Sequence, residues 1–285
     1  MAFTRAADGT GLHFDALGLP GREPVLMIQG LGADKTGWVL QRFAMAPHFR
    51  TIALDNRGAG RSDKPFGLYH LDEMADDAVA VLDAAGVERA HVVGASMGGA
   101  IAQVLAVRHP ERVRSLVLAC TACRHHDWRR ELLAEWAAIA NERGMAELSR
   151  RAMRWLVGPR SLRRFWPALG TLGPLAMRVP PYAFAAQVRA ILATDDSLRF
   201  ALPALAVPAL VIVGNQDILT PRGDSEELAE LIPGAELAVV SGAAHGLMIE
   251  HASTFNRVLG DFLGRAEKVY QAGLEATADI AEAAG

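Results

Sequence analysis

The chain has 285 residues, 51% apolar and 21% charged, with a formal net charge of −3. That supplies enough apolar chain for the core of one large domain or of a domain with an insertion, and the slight negative balance argues against a nucleic-acid binder. The opening MAFTRAADGTGLHF lacks the apolar stretch and cleavage signature of a secretory leader, and the most apolar segment, 201–214, is short for a bilayer span and holds two prolines. The expectation is a cytoplasmic protein with no membrane contact.

In chain order, FTRAADGTGLHFDALG reads as a β-hairpin turning at Asp8-Gly9. PVLMIQG (24–30) and RTIALD (50–55) are short apolar runs closed by turn residues, and 71–86 carries apolar residues at helical spacing with a glycine stop. A third buried strand, AHVVGAS (90–96), leads straight into a helix, 97–109, ended by Pro110, and VRSLVLAC (113–120) is a fourth. Strands that are apolar throughout and alternate with helices predict an α/β fold, a mostly parallel sheet covered by helices on both faces.

The alternation stops near Thr121. From about 124 to 200 the pattern is helical, interrupted by prolines, and holds four of the five tryptophans. Strand-like runs then resume at 208–217 and 235–242, with helices predicted around 223–231 and 252–264. The expected division is a core of 1–120 and 201–265, a helical cap of 121–200 over the carboxyl edge of the sheet, and an Ala/Glu-rich tail or helix at 266–285.

The tightest strand-to-helix junction is Gly94-Ala95-Ser96-Met97-Gly98, a G-x-S-x-G pattern. Glycines two residues to either side let strand and helix approach closely, which strains the central residue and lifts its hydroxyl to the helix N-terminus. A serine nucleophile needs a base and a group that orients it. Of nine histidines, His245 follows a strand in a Gly/Ala loop, and Asp217 follows the strand that resumes after the insertion; it is preferred over Asp224 and Asp55. The order Ser96, Asp217, His245 is the one expected of this architecture. Oxyanion donors are expected from the Met97 N–H and, in the loop Gln29-Gly30-Leu31-Gly32, the Leu31 N–H.

Taken together, QGLG, LDNRGAGRSDKP, GASMGG, GNQDILTP and GAAHGLMIE resemble the α/β-hydrolase fold family over nearly the whole chain. Within it the chain looks most like small carboxylesterases, enol-lactone hydrolases and related capped esterases. The resemblance implies that Asp55 and Arg57 hold a structural turn and that 121–200 caps the site. Many relatives have His-Gly where this chain has Gln29-Gly30; Gln29 is expected either to bond within the loop or to face substrate. Serine at the elbow, where haloalkane dehalogenases and epoxide hydrolases carry aspartate, argues against those activities.

The expected reaction is cleavage of a small or medium ester through an acyl-enzyme, with no cofactor or metal. Lactone, enol-lactone or C–C bond hydrolysis on the same residues is an alternative, and so is a ligand receptor on a hydrolase scaffold. Cys120-x-x-Cys123 with His125 and His126 lacks a second cluster to complete a familiar metal set. Trp128, Trp155, Trp136, Trp166, Phe165, Met153 and Leu156 are candidates either for a pocket wall or for packing between cap helices. Residues 143–189 hold nine arginines against one acid, Glu147, expected as solvated faces, as a steering field for an anionic substrate, or as a contact with an acidic partner. Both monomer and homodimer remain open.

Overall fold

A computed structural model of the protein describes residues 2–163, 179–195 and 197–283. Eight strands form one sheet: β1 (Ala2–Arg5), β2 (Gly11–Leu17), β3 (Glu23–Ile28), β4 (Phe49–Leu54), β5 (Ala90–Ala95), β6 (Val113–Ala119), β7 (Ala209–Gly214) and β8 (Glu236–Val240), in the order β1-β2-β4-β3-β5-β6-β7-β8. β1 and β2 form the hairpin, its turn closed by Thr10 N–H donating to Asp8 Oδ1 and by Gly9 at φ +86°. β2 also runs antiparallel to β4; the remaining neighbours are parallel. Parallel neighbours need crossovers, and helices provide them: α2 (Leu71–Ala84) joins β4 to β5, and α3 (Met97–Arg108) joins β5 to β6.

Every residue of β5 and β7 is buried, while β8, at the sheet edge, buries only Val240 fully. α3 is buried from Met97 to Ala106 because it lies between the sheet and other helices. The opposite face is covered by α1 (Val39–Met45) and the terminal helix, with Trp38, Met45, Phe255 and Leu259 among the packed side chains. Each such burial contributes about 1.5–3 kcal/mol relative to exposure.

Between β6 and β7 stand α4 (Asp127–Arg143), α5 (Met145–Leu156), α6 (Pro181–Leu192) and the short α7 (Ser197–Ala201). Gly144, at φ +84°, turns the chain from α4 into α5. After β7 come α8 (Arg222–Leu231), the one-turn α9 (Leu247–Glu250) and α10 (Ala252–Ala283).

For 266–285 a tail or a helix is expected; residues 266–283 are helical and continue, across the expected boundary at 265, the helix that begins at Ala252. Ala266 packs into the core, and Glu267 accepts hydrogen bonds from Arg114 and lies 2.9 Å from His91 Nε2, so a division at 265 would cut through packed structure. No described helix is long and apolar enough to cross a membrane.

The turn after β4 is held by charge. Asp55 takes the N–H groups of Lys35 (2.9 Å) and Arg61 (3.0 Å), and Arg57 forks onto Asp77 at 2.6 and 2.8 Å. Both side chains serve the turn.

Candidate active site

The junction after β5 is built by close approach. A side-chain carbon at Gly94 would lie 2.2 Å from Gly98 O, and one at Gly98 would lie 2.2 Å from Ile28 O. Between them Ser96 sits at φ +54°, ψ −120°, a conformation costing about 1–3 kcal/mol for a residue with a side chain. Hydrogen bonds hold it there: Ser96 N–H donates to Ala119 O at 2.9 Å, and Ser96 O accepts from Gly99 N–H (2.8 Å), Ala100 N–H (3.1 Å) and the Thr121 hydroxyl (2.8 Å).

The loop after β3 passes directly over this serine. A carbon at Gly30 would stand 3.1 Å from Ser96 Cβ and 3.7 Å from its Oγ. Gln29 turns into its own loop, its Oε1 accepting Gly30 N–H at 2.9 Å, while Gly32 N–H donates to Gln187 Oε1 at 3.0 Å. The neighbouring donors are thus occupied, whereas the N–H groups of Leu31 and Met97 have no acceptor among the described residues.

Asp217 and His245 come from the loops after β7 and β8, which touch so closely that a carbon at Gly214 would lie 2.2 Å from Ala243 O. His245 Nδ1 is 2.8 Å from Asp217 Oδ2, with both residues buried. The other carboxylate oxygen takes Leu219 N–H and Thr220 N–H, each at 2.9 Å, and the Thr220 hydroxyl donates to Oδ2 at 2.8 Å. Burial by itself would raise the Asp217 carboxyl; His245 and the Thr220 donors outweigh it and hold the group below its ordinary value. Cys120 (φ +47°) stands beside the pair, its thiol pushed well up by burial and by the Asp217 carboxylate. Ligand atoms of Cys120, Asp217 and His245 lie within 4.8 Å of one another. Cys123, pushed up to about 12 by burial and Glu227, and His126, 3.7 Å from Asp224, face other surroundings, so the C-x-x-C-x-H-H run does not act as one cluster.

A model of the alpha/beta hydrolase fold matches residues 23–144. Over 272 residues the chain is 36% identical to a 2-hydroxymuconate semialdehyde hydrolase from Pseudomonas sp. (strain CF600), covering 90% of this chain and 91% of that protein. The chain belongs to the α/β-hydrolase fold family. Among solved structures, the enol-lactonase from Burkholderia xenovorans LB400 superposes with a TM-score of 0.86 at 30% identity, over 92% of this chain and all of that one. A thermophilic esterase from Thermogutta terrifontis superposes at 0.85 with 26% identity, over 93% of this chain and 99% of that one.

In this α/β hydrolase, Ser96 and His245 both line a cavity of about 690 Å³, together with Gln29, Gly30, Leu31 and Met97. The inserted helices supply its apolar wall: Leu133 and Trp136 of α4, Leu148, Ala152 and Leu156 of α5, Phe184 of α6. Met153 is in the wall as well. Trp128 and Trp155, candidates from the sequence for the pocket wall or for packing between helices, are not in the wall. They stack on each other with ring centres 6.2 Å apart, and Trp128 lines a separate polar cleft with Arg124 and Glu227. The reason is helical phase: Trp155 lies one position, about 100°, around α5 from Leu156. Trp166, Phe165, Arg164 and Arg178 lie outside the described residues.

The described arginines of 143–189 are absent from the cavity wall. Arg150 and Arg151 pair with Glu147, and Arg154 stacks over Trp155. Among the described residues the arginine in the cavity wall is Arg129, already bonded to Asp224 and to Leu219 O. Thr220 and Gln187 escaped the sequence reading. Asp-x-x-Thr at 217–220 carries a local signal, because an aspartate accepting N–H groups two and three residues on forms a turn of its own. Gln187, 155 residues from Gly32, carries none.

His125 lines the same cavity and is held down to about 4 by burial, with Arg129, Arg130 and His126 adding repulsion. A histidine whose folded value is depressed loses stability in acid: the unfolded chain takes up its proton below about 6.5, whereas the folded chain refuses it until about 4. The urea midpoint is therefore expected to fall between pH 6.5 and 4. His125→Gln should flatten that slope; His13, also lowered by burial, keeps its own share.

Proposed function

We propose that this hydrolase cleaves neutral carboxylic esters with a medium-length apolar acyl group. The observation that carries this reading is one apolar cavity receiving both a strained, helix-capping serine and a buried, hydrogen-bonded His–Asp pair. In the reaction, His245 Nε2 takes the proton of Ser96 Oγ as the oxygen attacks the ester carbonyl. Asp217 fixes the proton on Nδ1 and stabilises the imidazolium. The Leu31 and Met97 N–H groups receive the charge that develops on the carbonyl oxygen. His245 returns the proton to the departing alcohol. Water, deprotonated by the same imidazole, then attacks the acyl-serine, and the carboxylic acid leaves.

A second reading has the same residues open an enol-lactone or cleave a C–C bond. It is favoured by the likeness to the 2-hydroxymuconate semialdehyde hydrolase and to the enol-lactonase. An anionic substrate, however, would meet a wall whose described arginine is committed to Asp224. Neutral esters suit it better.

The test is turnover of p-nitrophenyl esters from acetate to decanoate beside enol-lactones and vinylogous diketones, with product analysis. Multiple turnovers on esters, best at intermediate chain length, support the first reading; turnover of the other classes alone overturns it. Ala152→Phe places a ring in the wall. It is expected to raise KM for octanoate about 10-fold or more while changing kcat/KM for acetate by less than about 3-fold. Equal changes for both would mean that the acyl chain lies elsewhere.

A further inference from the structure

The His245 loop and the C-terminal end of α5 are tied together by hydrogen bonds that the proposed reaction does not use. Gly246 N–H donates to Leu156 O at 2.7 Å. Glu250 spans the same gap: its Oε2 accepts Gly158 N–H at 2.9 Å, across 92 residues of sequence, and its Oε1 accepts Ala244 N–H at 3.3 Å. Ala244 and Gly246 flank His245. Leu156 is cavity wall, and Gly158 follows the last residues of α5. Carbonyl groups at a helix C-terminus lack intrahelical partners, so the Leu156 oxygen is free to receive this bond. Space is tight as well: a carbon on Gly158 would lie 3.1 Å from Glu250 Oε2 and 3.3 Å from Gln216 Oε1.

We infer that Glu250 is a positioning residue that couples the apolar wall of the cavity to the imidazole of His245. One carboxylate holds an N–H from each side, so α5 and the His245 loop move as one body. An acyl chain pressing on Leu156 and its neighbours thereby bears on the base, and fit of the chain is read in turnover as well as in affinity. The inference rests on His245 being the base.

Glu250→Ala removes both acceptors. Gly158→Ala crowds one of them from the opposite side, at a backbone position that alanine can occupy. Glu250→Gln keeps one acceptor and is the conservative rescue. Expected for Glu250→Ala and Gly158→Ala is a drop in kcat of about 10-fold or more per titrated active site, with KM raised for octanoate but not for acetate. Glu250→Gln should fall between these variants and wild type. Amide exchange at 153–158 and 243–246 should accelerate together. Unchanged kcat per active site, or acceleration of one segment without the other, overturns the coupling. If both segments accelerate together while Ser96→Ala remains as active as wild type, the mechanical coupling stands and the assignment of His245 as base fails. Because the two variants approach the contact from opposite elements, loss of folding in one leaves the other to decide.

Discussion

Ser96→Ala is expected to lower kcat/KM for p-nitrophenyl butyrate by about 10⁴-fold or more, with near-native folding. No other described hydroxyl occupies the elbow, so nothing would replace the proposed nucleophile. What survives is the rate that an oxyanion hole and binding alone provide, about 10³–10⁴ over water. The backbone at 96 sits at φ +54°, where alanine, like serine, carries a side-chain carbon; the strain is therefore unchanged and stability should shift little. Ser96→Gly separates chemistry from strain. It is expected to be equally inactive yet more stable, by about 1 kcal/mol, because glycine adopts positive φ at little cost. Thermal denaturation beside the kinetic assay reads both effects. An active Ser96→Ala enzyme would remove serine from the mechanism.

Asp217→Asn is expected to cost about 10⁴-fold in kcat while leaving the geometry intact. The direction follows from donors already in place. Leu219 N–H and Thr220 N–H both point at Oδ1, so an asparagine must keep its carbonyl oxygen there. Its NH₂ then falls where Oδ2 was, facing His245 Nδ1 at 2.8 Å. Nδ1 becomes an acceptor, the ring proton moves to Nε2, and in the proposed mechanism that nitrogen can then no longer take the serine proton. A retained near-ultraviolet circular dichroism spectrum with lost turnover would support this. Full activity would move the orienting role to another acid. Stability carries a second signature. In the wild type the depressed Asp217 value contributes stability that is present above about pH 3.9, the ordinary aspartate value, and lost as pH falls through the folded value. Asp217→Asn removes that share, so its acid denaturation should be flatter in that range.

Much of the fold is legible in the chain because its signals are local. The runs at β3, β5, β6 and β7 are apolar at nearly every position, since both faces of those strands are covered. The hairpin turn at Asp8-Gly9 and the glycines around Ser96 mark backbone paths that larger residues obstruct. Asp217 and His245 were legible for a related reason: each follows a strand by a few residues, and in a parallel sheet such loops gather at one edge.

Other features were decided between segments far apart in sequence. Which tryptophans face the cavity depends on how α4 and α5 roll against the core. Composition counts four tryptophans in the insertion but does not say that Trp136 turns inward while Trp128 and Trp155 pack on each other. The same holds for the arginines of 143–163, whose described members at 150, 151 and 154 find Glu147 and Trp155 on the outer face of α5. The Gln187 and Glu250 contacts join residues 155 and 92 positions apart, and α10 runs on past 265 because Glu267 reaches Arg114 and His91. By itself the sequence determined the parallel sheet, the strained serine turn and the two strand-end loops that carry Asp217 and His245, because short-range sterics and periodic burial write those patterns locally. Only the tertiary structure decided the cavity's wall, the partners of its charged groups and the tie between α5 and the His245 loop, because each depends on the rotation and spacing of elements that meet only when the chain has folded.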